Sequence, residues 1–72
     1  MKITIENTSR IVEVNGVPCR QWEGTTASGI PVQCLITRIA VHNNYDQAQF
    51  EAELQQQKAP TVPEAFPLRM VL

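Results

Sequence analysis

Residues 30–41 read IPVQCLITRIAV, and the fold turns on how this run is placed. It is the longest apolar run in the chain and is rich in β-branched residues. Alternation puts Ile30, Val32, Cys34, Ile36 and Ala40 on one face, with Arg38 as its one charge. Leu35, Ile39 and Val41 share the other face with Gln33 and Thr37. Both faces are mostly apolar, which predicts a central strand covered on both sides. The chain has 72 residues, so residues 1–72 are read as one small domain. A domain of this size buries only about 60% of its unfolded surface and is marginal alone. Oligomerisation is a common remedy. The strand is therefore the first argument for a partner.

Upstream, residues 17–23 (VPCRQWE) form the preceding strand, joined to it by a turn at residues 24–29 (GTTASG). If Gly24 lies opposite Gly29, then Glu23 faces Ile30, Gln21 faces Val32 and Cys19 faces Cys34. In a non-hydrogen-bonded pair the two cysteine Cα atoms would be about 4.5 Å apart. The expectation is two small apolar side chains packed side by side, because a cytosolic setting keeps thiols reduced. Pro18 has no N–H, so its donor side should meet an edge or a bulge. Asn15-Gly16 between two β-rich runs predicts a type I′ hairpin. Before it, residues 10–14 (RIVEV) and residues 2–6 (KITIE) read as two strands separated by turn formers at residues 7–9 (NTS).

Downstream, residues 42–46 (HNNYD) break the apolar pattern, and Asn44 or Asp46 can cap a helix. Residues 46–57 (DQAQFEAELQQQ) suit a helix, with Phe50 and Leu54 forming a narrow apolar stripe. Prolines at 60, 63 and 67 make residues 59–67 an extended crossing segment, and the β-compatible residues 68–72 (LRMVL) pair as a final strand into the sheet or into a partner. The expected order is β-β-β-β-α-β. That is an α+β domain: an antiparallel meander of four to five strands with one helix packed on one face.

Six basic and seven acidic residues are scattered along the chain, so no basic block supports nucleic-acid binding. No run approaches the ~18 apolar residues of a membrane span, and no apolar signal segment follows Lys2. A soluble cytoplasmic protein is expected. Two cysteines are too few for a disulfide scaffold.

Four side chains stand out as ligand or partner contacts. Arg38 lies among apolar neighbours, where a cation needs a partner. It offers its planar fork to a carboxylate or phosphate, pairs with Glu13, Glu23 or another acid inside the sheet, or snorkels to the strand end. Arg20 and Trp22 share a face, where a cation–π pair can form, and both residue types anchor interfaces. Trp22 can equally close one end of the core. Tyr45 is a further candidate of this kind. His42, Cys19 and Cys34 lack the spacing of a metal site or a nucleophile pair. Gly24 and Gly29 have turn chemistry and no following lysine, so they are not a phosphate loop. No catalytic residue, cofactor or metal is expected.

Read together, ITIENTSRIVEVNGVP, WEGTTASGIPV, ITRIAV, QFEAEL and PLRMVL resemble small, mostly uncharacterised proteins of tailed bacteriophages and prophages. The resemblance implies an intracellular accessory protein. Phage proteins of this size often disable a host factor, defence systems included, and some sequester nucleotide signals inside oligomers.

These readings converge on a non-enzymatic homo-oligomer, a dimer by symmetry, that inhibits a host or defence protein. Leu35, Ile39, Val41, Met70 and Leu72 are the candidate oligomer interface. A nucleotide-like ligand held by Arg20, Trp22, Arg38 and Tyr45 at an oligomer interface is the alternative, and a minor virion or assembly component is the third.

Overall fold

The computed structural model describes residues 1–61. Strands β1 (Ile3–Val14), β2 (Val17–Thr26) and β3 (Pro31–Ile36) precede one helix, α1 (Gln47–Leu54). The strands form a three-stranded antiparallel sheet in the order β1-β2-β3. The class is α+β-like, but the expected four to five strands reduce to three among the described residues. The expected strand at residues 68–72, with Met70 and Leu72, lies outside them.

The first correction is at residues 7–9. The NTS run does not turn; it stays inside β1 as a bulge between Asn7 and Ile11. The physical reason is where its side chains bond. Thr8 Oγ1 donates to the Gln21 carbonyl at 2.8 Å and accepts from the Arg10 N–H at 3.2 Å. Asn7 Nδ2 donates to the Leu54 carbonyl at 2.8 Å. Side chains that satisfy distant backbone groups favour a bulge over a local turn. The two expected strands thus fuse into one of 12 residues.

The Asn-Gly hairpin is as expected. Asn15 and Gly16 have φ of 52° and 80°, and Val14 pairs with Val17. At the second hairpin the register differs. Gly24 pairs with Val32, not Gly29, and Cys34 pairs with Trp22, not Cys19. The turn is tighter than Gly24 opposite Gly29 would make it: the Gly29 N–H donates to the Thr26 carbonyl at 3.0 Å, and Gly29 takes φ 90°. Gly24 itself is a strand residue. This three-residue slip is odd, so it moves Cys34 to the face opposite Cys19.

The run at residues 30–41 is not the central strand. β2 occupies the centre, β3 is an edge of the described sheet, and β3 ends at Ile36. A meander places its middle strand inside, and β2 has hairpins at both ends. Pro18 lies before the β2–β3 pairing begins, so its missing N–H costs no bond to β3.

Asp46 caps α1, with its carboxylate accepting from the Gln49 N–H at 3.0 Å. The helix is shorter than the run of helix formers, and it buries no side chain. Phe50 and Leu54 are only half-buried. After it, Lys58 forms a parallel bridge with Thr8 at the β1 bulge. The buried residues are Asn7 and Thr8 on β1 and Cys19, Gln21 and Glu23 on β2. Cys19 is the sole apolar member of that set among the described residues. The same stretch leaves Ile3, Ile11, Val17, Ile30 and Ile39 exposed.

A candidate ligand groove on the Trp22 face

Alternation along β2 sends Arg20 and Trp22 to one face and Cys19, Gln21 and Glu23 to the other. Arg20 is paired with Ile36 and Trp22 with Cys34, so the end of β3 extends the first face. Beyond Ile36 the chain leaves the sheet, and this departure brings Arg38 and Ile39 back over it. A cavity of about 400 Å³ results. Arg20, Trp22 and Ile36 line it from the sheet, and Arg38 and Ile39 from the departing chain. Leu54, Gln55 and Gln57, at and beyond the helix end, form the opposite wall beside Asn7.

Three of the four expected contact residues therefore meet in one place. Tyr45 does not join them: it is 70% exposed and stands edge-on to His42, with ring centroids 6.1 Å apart. The two arginines differ. Arg20 Nη1 donates to the Thr8 carbonyl at 3.3 Å, which ties it to the bulge instead of a stack over Trp22. Arg38 is exposed and makes no ion pair among the described residues. Neither acid considered for it is engaged with it, since Glu23 takes Lys58. Of the expected interface residues, Ile39 lines the groove, Leu35 lies on the opposite face across from Gln21, and Val41 is half-buried. Cys19, Cys34 and His42 are not brought together.

Comparison with family models, curated proteins and solved structures finds no match. The chemistry of the site is thus read from its own geometry. A guanidinium without an ion pair among the described residues, a half-buried indole and aliphatic walls suit a ligand with an anionic group and a flat ring. Three amide side chains, Asn7, Gln55 and Gln57, supply both donors and acceptors around it.

Behind Trp22, on the other face, Glu23 is 6% exposed. Burial alone would push its carboxyl up. Hydrogen bonds from Thr61 and Lys58 and the Lys58 charge outweigh that and hold it below the usual carboxylate range. Lys58 Nζ lies 3.0 Å from Oε1, and Thr61 donates Oγ1 at 2.7 Å and its N–H at 3.1 Å.

Asn7 and Lys58 do not stand out in the sequence, and Glu23 stands out there only as a partner for Arg38, not for Lys58. The available signal was Asn7-Thr8, two polar residues interrupting an alternation without a glycine or proline to turn the chain. No helix among the described residues is long and apolar enough to cross a membrane.

Proposed function

We propose that this protein is a non-enzymatic binding protein whose groove takes a small anionic ligand bearing a planar ring, of the nucleotide class. The observation that carries this is the meeting of Arg20, Trp22 and Arg38 on one cavity of about 400 Å³. That volume is in the range of small-ligand sites, which run from about 300 to 1,000 Å³. Arg38, exposed and without an ion pair among the described residues, supplies a fork for phosphate, and Trp22 a face for the base. In the phage setting that the sequence resemblance implies, such a protein sequesters a nucleotide signal. The test is thermal shift against a panel of linear and cyclic nucleotides, with inorganic phosphate alone as control. Stabilisation by a nucleotide, lost in Arg38→Ala, is expected. No stabilisation by any member of the panel overturns the reading.

A second reading, a homo-oligomer that inhibits a host or defence protein, is favoured by a different observation. Ile3 and Ile11 share the Trp22 face and are 41% and 50% exposed. Covering an aliphatic side chain contributes about 1.5–3 kcal/mol. A second copy placed there would gain that for both residues at once, and it would put the groove at a subunit boundary. Light scattering at low concentration decides it: a clean monomer removes the oligomer. A virion role predicts co-purification with phage particles.

A further inference from the structure

The outer wall of the groove has no fully buried α1 side chain to anchor it, Phe50 and Leu54 being half-buried. Its attachments are polar and follow one another along the chain. Buried Asn7 donates Nδ2 to the Leu54 carbonyl at 2.8 Å, and the Asn7 carbonyl accepts from the Lys58 N–H at 3.2 Å. The Ser9 N–H donates to the Lys58 carbonyl at 3.0 Å. The Lys58 ammonium and Thr61 then reach Glu23 on the far face. Glu23 follows Trp22 in β2, and the two side chains point to opposite sides of the sheet.

We propose that residues 54–61 are a strap over the β1 edge, with Asn7 and Glu23 as positioning residues that set the shape of the groove, Glu23 acting from behind the sheet. Its ligand consequence rests on the groove reading above; the strap itself does not. The chemistry at Glu23 fits this role. Three donors converge on its carboxylate, and only the ionised form is acceptor-only. Among the described residues, the charged groups facing it are Lys58 on the strap and Glu6, its register partner on β1; β3 offers uncharged Gln33. Protonation removes the ion pair and turns one acceptor oxygen into a donor among donors. The strap then loosens and its wall leaves Trp22.

Trp22 is the single tryptophan, so it reports the wall without any ligand. Acrylamide quenching of the full chain is compared for wild type, Glu23→Gln, Lys58→Met and Thr61→Val, with circular dichroism to confirm the sheet. Quenching about twofold higher in all three at neutral pH is expected, since each removes a bond of the clamp. Wild type should open as pH falls below the usual carboxylate range, where the clamp holds the Glu23 carboxyl, while Glu23→Gln shows no transition there. Binding of adenosine monophosphate, followed in parallel, should weaken by about tenfold in the open variants, the scale of one charge-assisted bond. Unchanged quenching in all three variants overturns the strap. If Glu23→Gln fails to fold, exposed Thr61→Val decides: quenching equal to wild type overturns the proposal. If wild type binds no nucleotide but quenching rises as expected, the strap stands and the ligand reading falls.

Discussion

Cys34 lies across from Trp22 while Cys19 lies across from Val12, which puts the two thiols on opposite faces of the sheet. A disulfide requires Cα atoms within about 7 Å and converging Cβ vectors, and opposite faces deny the second. Mild oxidation of the native protein should therefore give no intramolecular bond. Under native conditions a maleimide should label Cys34, which is half-buried, and leave Cys19, at 3% exposure, unlabelled until denaturant is added. Mass spectrometry of the labelled protein reads both outcomes. Equal native labelling of the two thiols would contradict the register.

Gly24 is a second check on the same pairing. It sits across from Ile5, and a Cβ there would overlap the Thr4 carbonyl oxygen and crowd the Ile5 Cα. Backbone atoms cannot step aside as a side chain can, so β1 and β2 would have to separate. Gly24→Ala should cost about 1–3 kcal/mol, the range for overpacking. Urea denaturation measures it. Gly16, by contrast, has open space around its Cβ position and is fixed by its φ of 80°, so Gly16→Ala tests turn conformation instead.

The helix should respond locally. Asp46 satisfies the Gln49 N–H, and removing such a cap costs about 1 kcal/mol. Because α1 buries nothing, Asp46→Ala should fray residues 47–54 and barely disturb the sheet. Hydrogen exchange should speed at the Phe50 amide, whose backbone bond to the Asp46 carbonyl is 3.1 Å, while amides within the β1–β2 ladder keep their protection.

The parts of the fold legible in the sequence are those encoded by neighbours. Asn15-Gly16 dictates positive φ locally and emerged directly, and of the two local cap candidates, Asn44 and Asp46, the helix uses Asp46. What the sequence concealed depends on distant partners. Asn7 and Thr8 look like turn formers until Leu54 and Gln21 take their hydrogen bonds. The apolar run at residues 30–41 looked central because both faces are apolar. Its second half instead leaves the sheet, and that departure brings Arg38 to the groove. Arg20, Trp22 and Arg38 were recognisable by residue type. Their meeting follows from the register, which loop length alone did not fix.

Acid should act through Glu23. Its folded carboxyl titrates below the unfolded one, so its contribution to stability is fully present above the unfolded value, about 4.3. It is lost as pH falls through the lower, folded value. Denaturant midpoints measured from pH 7 to pH 3 should drop more steeply for wild type than for Glu23→Gln in the acid part of that range. Glu6, its register partner, places a second carboxylate across from it on the same face, and Lys58 is the cation paired with it. Lys58→Met should therefore lower the neutral-pH midpoint, and Glu6→Gln should recover part of that loss.

The two groove arginines should separate in a binding experiment. Arg38 is exposed and unpaired among the described residues, so Arg38→Ala should leave the urea midpoint near wild type. It should weaken adenosine monophosphate by about tenfold or more, the scale of a charge-assisted bond. Arg38→Lys should restore only part of this, since an ammonium lacks the bidentate fork. Arg20 is tied to the Thr8 carbonyl at the bulge, so Arg20→Ala should lower stability and affinity together. Affinity in wild type should fall as salt rises, and the slope should flatten in Arg38→Ala. Isothermal titration across a salt series reads all of these. Loss of affinity in Arg20→Ala with none in Arg38→Ala would move the anion contact from the departing chain to the sheet.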